Sequence, residues 1–107
     1  MNKQQLIEAR ILARHRIIAR RLQADPTAVL AHARANLQRW SRDYPEDQPP
    51  GWLQEWRELL EHPLADILEA LTADSENARR LRSSSPFAGI IGPRERWAIH
   101  REIGDDS

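Results

Sequence analysis

The chain contains no cysteine, so a disulfide framework, a zinc ribbon and thiol chemistry are excluded and a reducing cytoplasm is the expected setting. Glycine is scarce, at four residues, and Gly89-x-x-Gly92 alone is too sparse for a phosphate cradle. No apolar run approaches the roughly 20 residues that cross a bilayer, so no membrane span is expected. The first residues mix charges from Lys3 onward without an apolar core, which argues against a signal peptide. Histidine occurs only at 15, 32, 62 and 100, and no two of these stand at metal-ligand spacing. No metal and no cofactor are therefore expected. No base motif accompanies Ser83-Ser84-Ser85, and the carboxylate pairs Glu58/Glu61 and Asp66/Glu69 fall on polar helix faces. No catalytic residue is assigned, and the chain is read as a non-enzyme.

What is present is charge and helical period. Of 107 residues, 30% are charged and 40% hydrophobic, and the net charge is zero. One domain is expected at this length, burying only about two thirds of the unfolded surface. The charge is unevenly laid out. Residues 1–24 balance to +5, 25–42 to +2, 43–76 to −9 and 77–103 to +4, with Asp105 and Asp106 closing the sum. Basic ends around an acidic middle either pair with each other in the fold or meet an electrostatic partner.

Ile7, Ile11, Ile18 and Leu22 recur at three-, four- and seven-residue spacing, predicting a basic amphipathic helix over residues 3–23. Its polar face carries Arg10, Arg14 and Arg21, the candidates for nucleic-acid backbone contact. Asp25-Pro26 is a cap followed by a proline suited to the first helical turn. The second helix runs to about residue 43 on the seam Leu30, Ala33, Leu37, Trp40 and Tyr44. His32 and Asn36 lie four apart on that helix, a poor metal pair read as surface. Residues 44–51 hold three prolines and Gly51 and form a surface connection. Trp52, Leu53, Trp56, Leu59 and Leu60 make a third inward face. Glu55, Glu58 and Glu61 interleave there, so the tryptophans are read as core rather than as a base-stacking platform. Leu64, Ile67, Leu68 and Leu71 stripe a fourth helix, and a short fifth follows the cap at residues 74–77.

Residues 83–92 break the helical period. Phe87, Ile90 and Ile91 are expected to plug the core from this loop, and Gly92-Pro93 to start a last helix. Trp97, Ile99, His100 and Ile103 are its candidate apolar or half-buried positions. The fold class is therefore all-α, a compact bundle of five to six mostly antiparallel helices with a Ser/Pro/Gly loop before the last. The pair of helices across residues 64–82 comes nearest to a helix-turn-helix. Its second member begins with Asp74 and Glu76, which is wrong for a recognition helix.

The segment Leu81-Arg82-x-Ser84-Ser85-Pro86-Phe87-Ala88-Gly89-Ile90-Ile91-x-Pro93-Arg94-Glu95-Arg96-Trp97-Ala98-Ile99, preceded by Trp52-Leu53-x-x-Trp56-x-x-Leu59-Leu60 and Pro63-Leu64, resembles a group of small bacterial helical proteins. These look like antitoxins encoded beside a toxin gene, and the resemblance covers about residues 50–101. It implies a non-enzymatic binding protein that sequesters and neutralises a protein partner and can also touch its own promoter DNA. The expected partner-binding residues are Arg79, Arg82, Ser84, Ser85, Phe87, Arg94, Arg96 and Trp97. The alternative is a transcriptional regulator that binds nucleic acid through the basic first helix and the Arg-rich C-terminal region. Self-association is compatible with either.

Overall fold

A computed structural model describes residues 1–104. Among them are six helices and no strand: α1 (Lys3–Ala24), α2 (Pro26–Ser41), α3 (Gly51–Leu59), α4 (Leu64–Thr72), α5 (Glu76–Arg82) and α6 (Pro93–Glu102). The expected all-α bundle is observed, and no helix among the described residues is long and apolar enough to cross a membrane. Asp105, Asp106 and Ser107 lie outside the described residues.

The helix ends follow from local chemistry. Asn2 caps α1 by accepting the Gln5 N–H at 2.8 Å, while the Gln5 side chain accepts the Asn2 N–H. Asp25 both ends α1 and caps α2 through the Ala28 N–H, so the two helices are joined by a single residue. Ser75 caps α5 in the same manner.

The longest helix is also the central one. α1 packs against α2, α4, α5 and α6, and it supplies Ile18, Ala19 and Leu22 to the core. Leu53, Trp56, Ile67, Leu71 and Phe87 complete that core and are fully shielded from water. Burying each such side chain contributes roughly 1.5–3 kcal/mol. Trp56 is core, as its spacing predicts. Its ring meets Phe87 edge-on at 5.9 Å, and its indole N–H donates to the Leu81 carbonyl at 3.0 Å.

The loop after α5 is held from both sides. Phe87 and Ile91 enter the core from it, as expected, and Ile90 packs against it. His32 and Asn36 on α2 are not the surface pair that their spacing suggests. Asn36 is buried and donates to the Pro86 and Ala88 carbonyls at 2.8 and 2.9 Å. His32 Nε2 lies 2.6 Å from the Ala88 carbonyl, which can only accept, so this nitrogen carries the proton. Two residues one turn apart thus clamp a turn that has no helix of its own. Gly89 completes the turn at a φ of +91°, a conformation that only glycine adopts without strain.

Candidate functional site

Arg10, Arg14 and Arg21 stand four and seven residues apart, so they share one side of α1. The last helix lies along that side. Arg10 Nε donates to the Ile103 carbonyl at 2.9 Å, beyond the end of α6. Arg21 Nη1 donates to the Ile90 carbonyl at 2.7 Å, and its Nη2 forms an ion pair with Glu95 in the first turn of α6. The outer two arginines are therefore braces between α1 and the last segment of the chain. Part of the hydrogen-bonding capacity of Arg10 and Arg21, two of the three candidate nucleic-acid contacts, is thus taken up within the fold.

Arg14, between the braces, is different. Its side chain makes no hydrogen bond or ion pair with a described residue, and neither does the side chain of Arg96, which approaches it from α6. Burial, and then the charges of Arg96 and Arg10, push the Arg14 guanidinium below its ordinary value. Two cations are thus held together without an acid. They border a surface hollow of about 370 Å³ lined also by Arg10, Pro93, Trp97 and His100. Trp97 is 60% exposed and stacks nearly parallel on His100, with ring centroids 5.7 Å apart. The expectation that these two rings are half-buried is thereby corrected. Ile99 alone takes the inward face of α6 among its buried residues.

Arg14 and Arg96 also border a second cavity, of about 330 Å³, reaching under the loop to His15, Ser85, Phe87 and Gly89. No aspartate or glutamate lines either hollow.

No family model, curated protein or solved structure matches the chain. The site therefore stands on its own geometry.

The expected contact residues are divided by the fold. Arg96, Trp97, Ser85, Arg10 and Arg14 come together around the two hollows. Arg82 and Phe87 turn inward. Arg82 is only 3% exposed, and its Nη1 donates to the Ala70 and Ala73 carbonyls at 3.1 and 2.8 Å. Its cation thus satisfies the C-terminal end of α4, where unpaired carbonyls concentrate negative potential. Neither Arg82 nor Phe87 has the outward surface a partner contact needs. Arg79 pairs with Asp74 at 2.7 Å, and Ser84 Oγ returns to the Leu81 carbonyl at 3.4 Å. Arg94 is exposed and lines neither hollow. Arg80 forms a two-pronged pair with Glu55 at 2.9 and 2.7 Å, so part of the C-terminal basic block does neutralise the acidic middle.

Sequence reasoning missed His15. It occupies an apolar register between Ile11 and Ile18, and that register is the signal that could have found it. Its ring is buried, Nδ1 lies 2.7 Å from the Ile11 carbonyl, and Nε2 has no partner. Burial, opposed in part by that hydrogen bond and reinforced by the charges of Arg82 and Arg14, lowers its pKa to about 4. No cluster of metal-ligating side chains occurs among the described residues.

Proposed function

We propose that the chain is a non-enzymatic protein-binding module of the antitoxin kind, and that it receives an acidic segment of a toxin-like partner on the arginine face between α1 and α6. The observation that carries this reading is the Arg14–Arg96 pair, two neighbouring cations with no acid in reach, beside the exposed Trp97. Arginine and tryptophan are the residues that most often dominate binding energy at protein interfaces. A carboxylate-bearing segment would relieve the repulsion between the two cations and gain charge-assisted hydrogen bonds. The braces at Arg10 and Arg21 fix α6 beforehand, so little ordering is needed on binding.

Co-expression with the product of the neighbouring gene tests this. The expected outcome is a stable complex and relief of that product's toxicity, both weakened by Arg14→Glu with Arg96→Glu. A lone chain that leaves toxicity unchanged would sink the proposal.

The second reading is a nucleic-acid-binding regulator, favoured by the flat Trp97–His100 stack among arginines, a combination that suits unpaired bases. It is supported if the isolated chain shifts single-stranded DNA or RNA with an affinity that falls steeply with salt. Absence of a shift at low salt removes it.

A further inference from the structure

The fold leaves two exposed patches of opposite sign unmatched. One is the face between α1 and α6, where the side chains of Arg14 and Arg96 find no partner among the described residues and Trp97 stands 60% exposed beside them. The other is the connection after α2. Asp43, Glu46 and Asp47 are exposed there, and the side chain of none forms a hydrogen bond or ion pair with a described residue. Arg42 at its base is the only cation between residues 42 and 48, so acid prevails in the segment. This connection is shaped in advance. The Gln48 N–H donates to the Pro45 carbonyl at 3.1 Å, closing a turn that puts Glu46 and Asp47 at its tip. Tyr44, 40% exposed, is propped edge-on against Trp52 with ring centroids 6.3 Å apart. Trp97 and Tyr44 are the only aromatic side chains among the large exposed hydrophobics of the described residues. Each patch therefore holds unmatched charge and one open ring.

Within one chain the two patches do not meet. Between two chains they are complementary in charge. The net charge of the whole chain is zero, so copies approach one another without overall repulsion. Carboxylates set beside Arg14 and Arg96 relieve the repulsion between those cations and gain charge-assisted hydrogen bonds. The braces on α6 and the closed turn hold both surfaces before contact, so little ordering is lost. We propose that the chain self-associates head to tail, the turn at 45–48 of one copy setting Glu46 and Asp47 against Arg14 and Arg96 of the next and bringing Tyr44 and Trp97 into the contact. The two patches are different surfaces, so the contact is heterologous, and the assembly grows by addition unless a ring closes. It uses the face on which a toxin-like partner is proposed to bind, but it does not rest on that reading. An acidic partner that takes the face more tightly dissolves the assembly.

Sedimentation velocity on the isolated full chain tests this at neutral pH, from micromolar to millimolar protein. In about 0.01 M salt, where exposed charges interact over roughly 30 Å, the weight-average mass is expected to climb with protein concentration. In about 1 M salt, where that range is roughly 3 Å, it is expected to return to that of a single chain. Two variants then separate the two sides of the contact. Arg14→Gln with Arg96→Gln removes the receiving face, and Asp43→Asn with Glu46→Gln and Asp47→Asn removes the acidic turn. Each variant alone is expected to associate at least about tenfold more weakly than the parent chain. Mixed in equal amounts, the two are expected to form a dimer and nothing larger, because only the turn of the first fits the face of the second. If the arginine variant loses the native circular-dichroism spectrum, Arg96→Gln alone, at an exposed position, is read in its place. A chain that stays monomeric at low salt overturns the proposal and leaves the face to an acidic partner. Association that high salt leaves intact, a variant that associates as the parent does, or a mixture that fails to pair also overturns it. Self-association and relief of toxicity are read in separate assays, so either can fail while the other stands.

Discussion

Arg21 and Glu95 tie the first helix to the first turn of the last, and Glu95 uses its second oxygen to accept the Gly92 N–H at 3.4 Å. One carboxylate thus closes the α6 cap and anchors the helix to α1. The Arg21 guanidinium holds the Glu95 carboxyl below its ordinary range, with the Gly92 N–H adding to the effect and burial opposing it. The ion pair is open to solvent, so it contributes little in high salt. The Ile90 carbonyl bond is the larger loss when Arg21 is truncated. Arg21→Met is expected to lower stability by about 1 kcal/mol and to speed amide exchange in α6. Glu95→Gln, which keeps the cap and weakens only the charge, is expected to lower it less. Urea melts with native-state hydrogen exchange check both.

Arg14 leads to the opposite expectation. It is partly desolvated, four residues from Arg10 and close to Arg96, with no compensating acid. Arg14→Met removes that repulsion and keeps an apolar stem. The thermal midpoint is expected to rise, by the equivalent of about 0.3 kcal/mol, while binding to an acidic partner falls. A calorimetric scan and a pulldown on the same variant separate the two effects.

His15 sets a pH dependence. Its pKa is about 4 in the fold against an ordinary 6.5, so between those values the unfolded chain binds the extra proton. Stability therefore falls as pH drops from 6.5 toward 4, by roughly 3 kcal/mol in all. Glu55 and Glu95, both held below the ordinary 4.5, add their loss only below that value. Urea midpoints between pH 7.5 and 5 isolate the histidine. His15→Phe is expected to flatten that range, and an unchanged slope would refute the assignment.

Asn36 is the clamp of the loop. Asn36→Ala leaves the Pro86 carbonyl without its buried donor and removes one of two donors to Ala88. A loss of about 2–3 kcal/mol is expected, with Phe87 loosened from Trp56. Tryptophan fluorescence during urea unfolding reads this directly.

Helix periodicity made most of the fold legible. The stripes around Leu22, Leu37, Trp56 and Leu71 put those residues inward, and Asp25 and Ser75 announce their helix starts as caps. The site was legible only in composition. Arginine at 10, 14 and 21 reads as one uniform basic face, because spacing says nothing of which cation meets a carbonyl. That depends on where α6 lies, and α6 is placed by residues from 69 to 93 positions away. Arg82 misled for a related reason. A terminal arginine on a short helix looks solvated until the carbonyl end of α4 is brought beneath it. Asn36 and His32 misled because the carbonyls they serve belong to a loop without period.

The central position of α1 has a consequence for synthesis. This helix leaves the ribosome before α4, α5 and α6, the elements that cover most of its apolar side. Its closing hydrogen bond, from Arg10 to Ile103, spans 93 residues. The nascent chain must therefore carry Ile18 and Leu22 with no cover beyond α2 while about forty further residues are added, because α4 begins only at Leu64. Chaperone capture, or early docking on a co-translated companion, has its best opportunity in that interval.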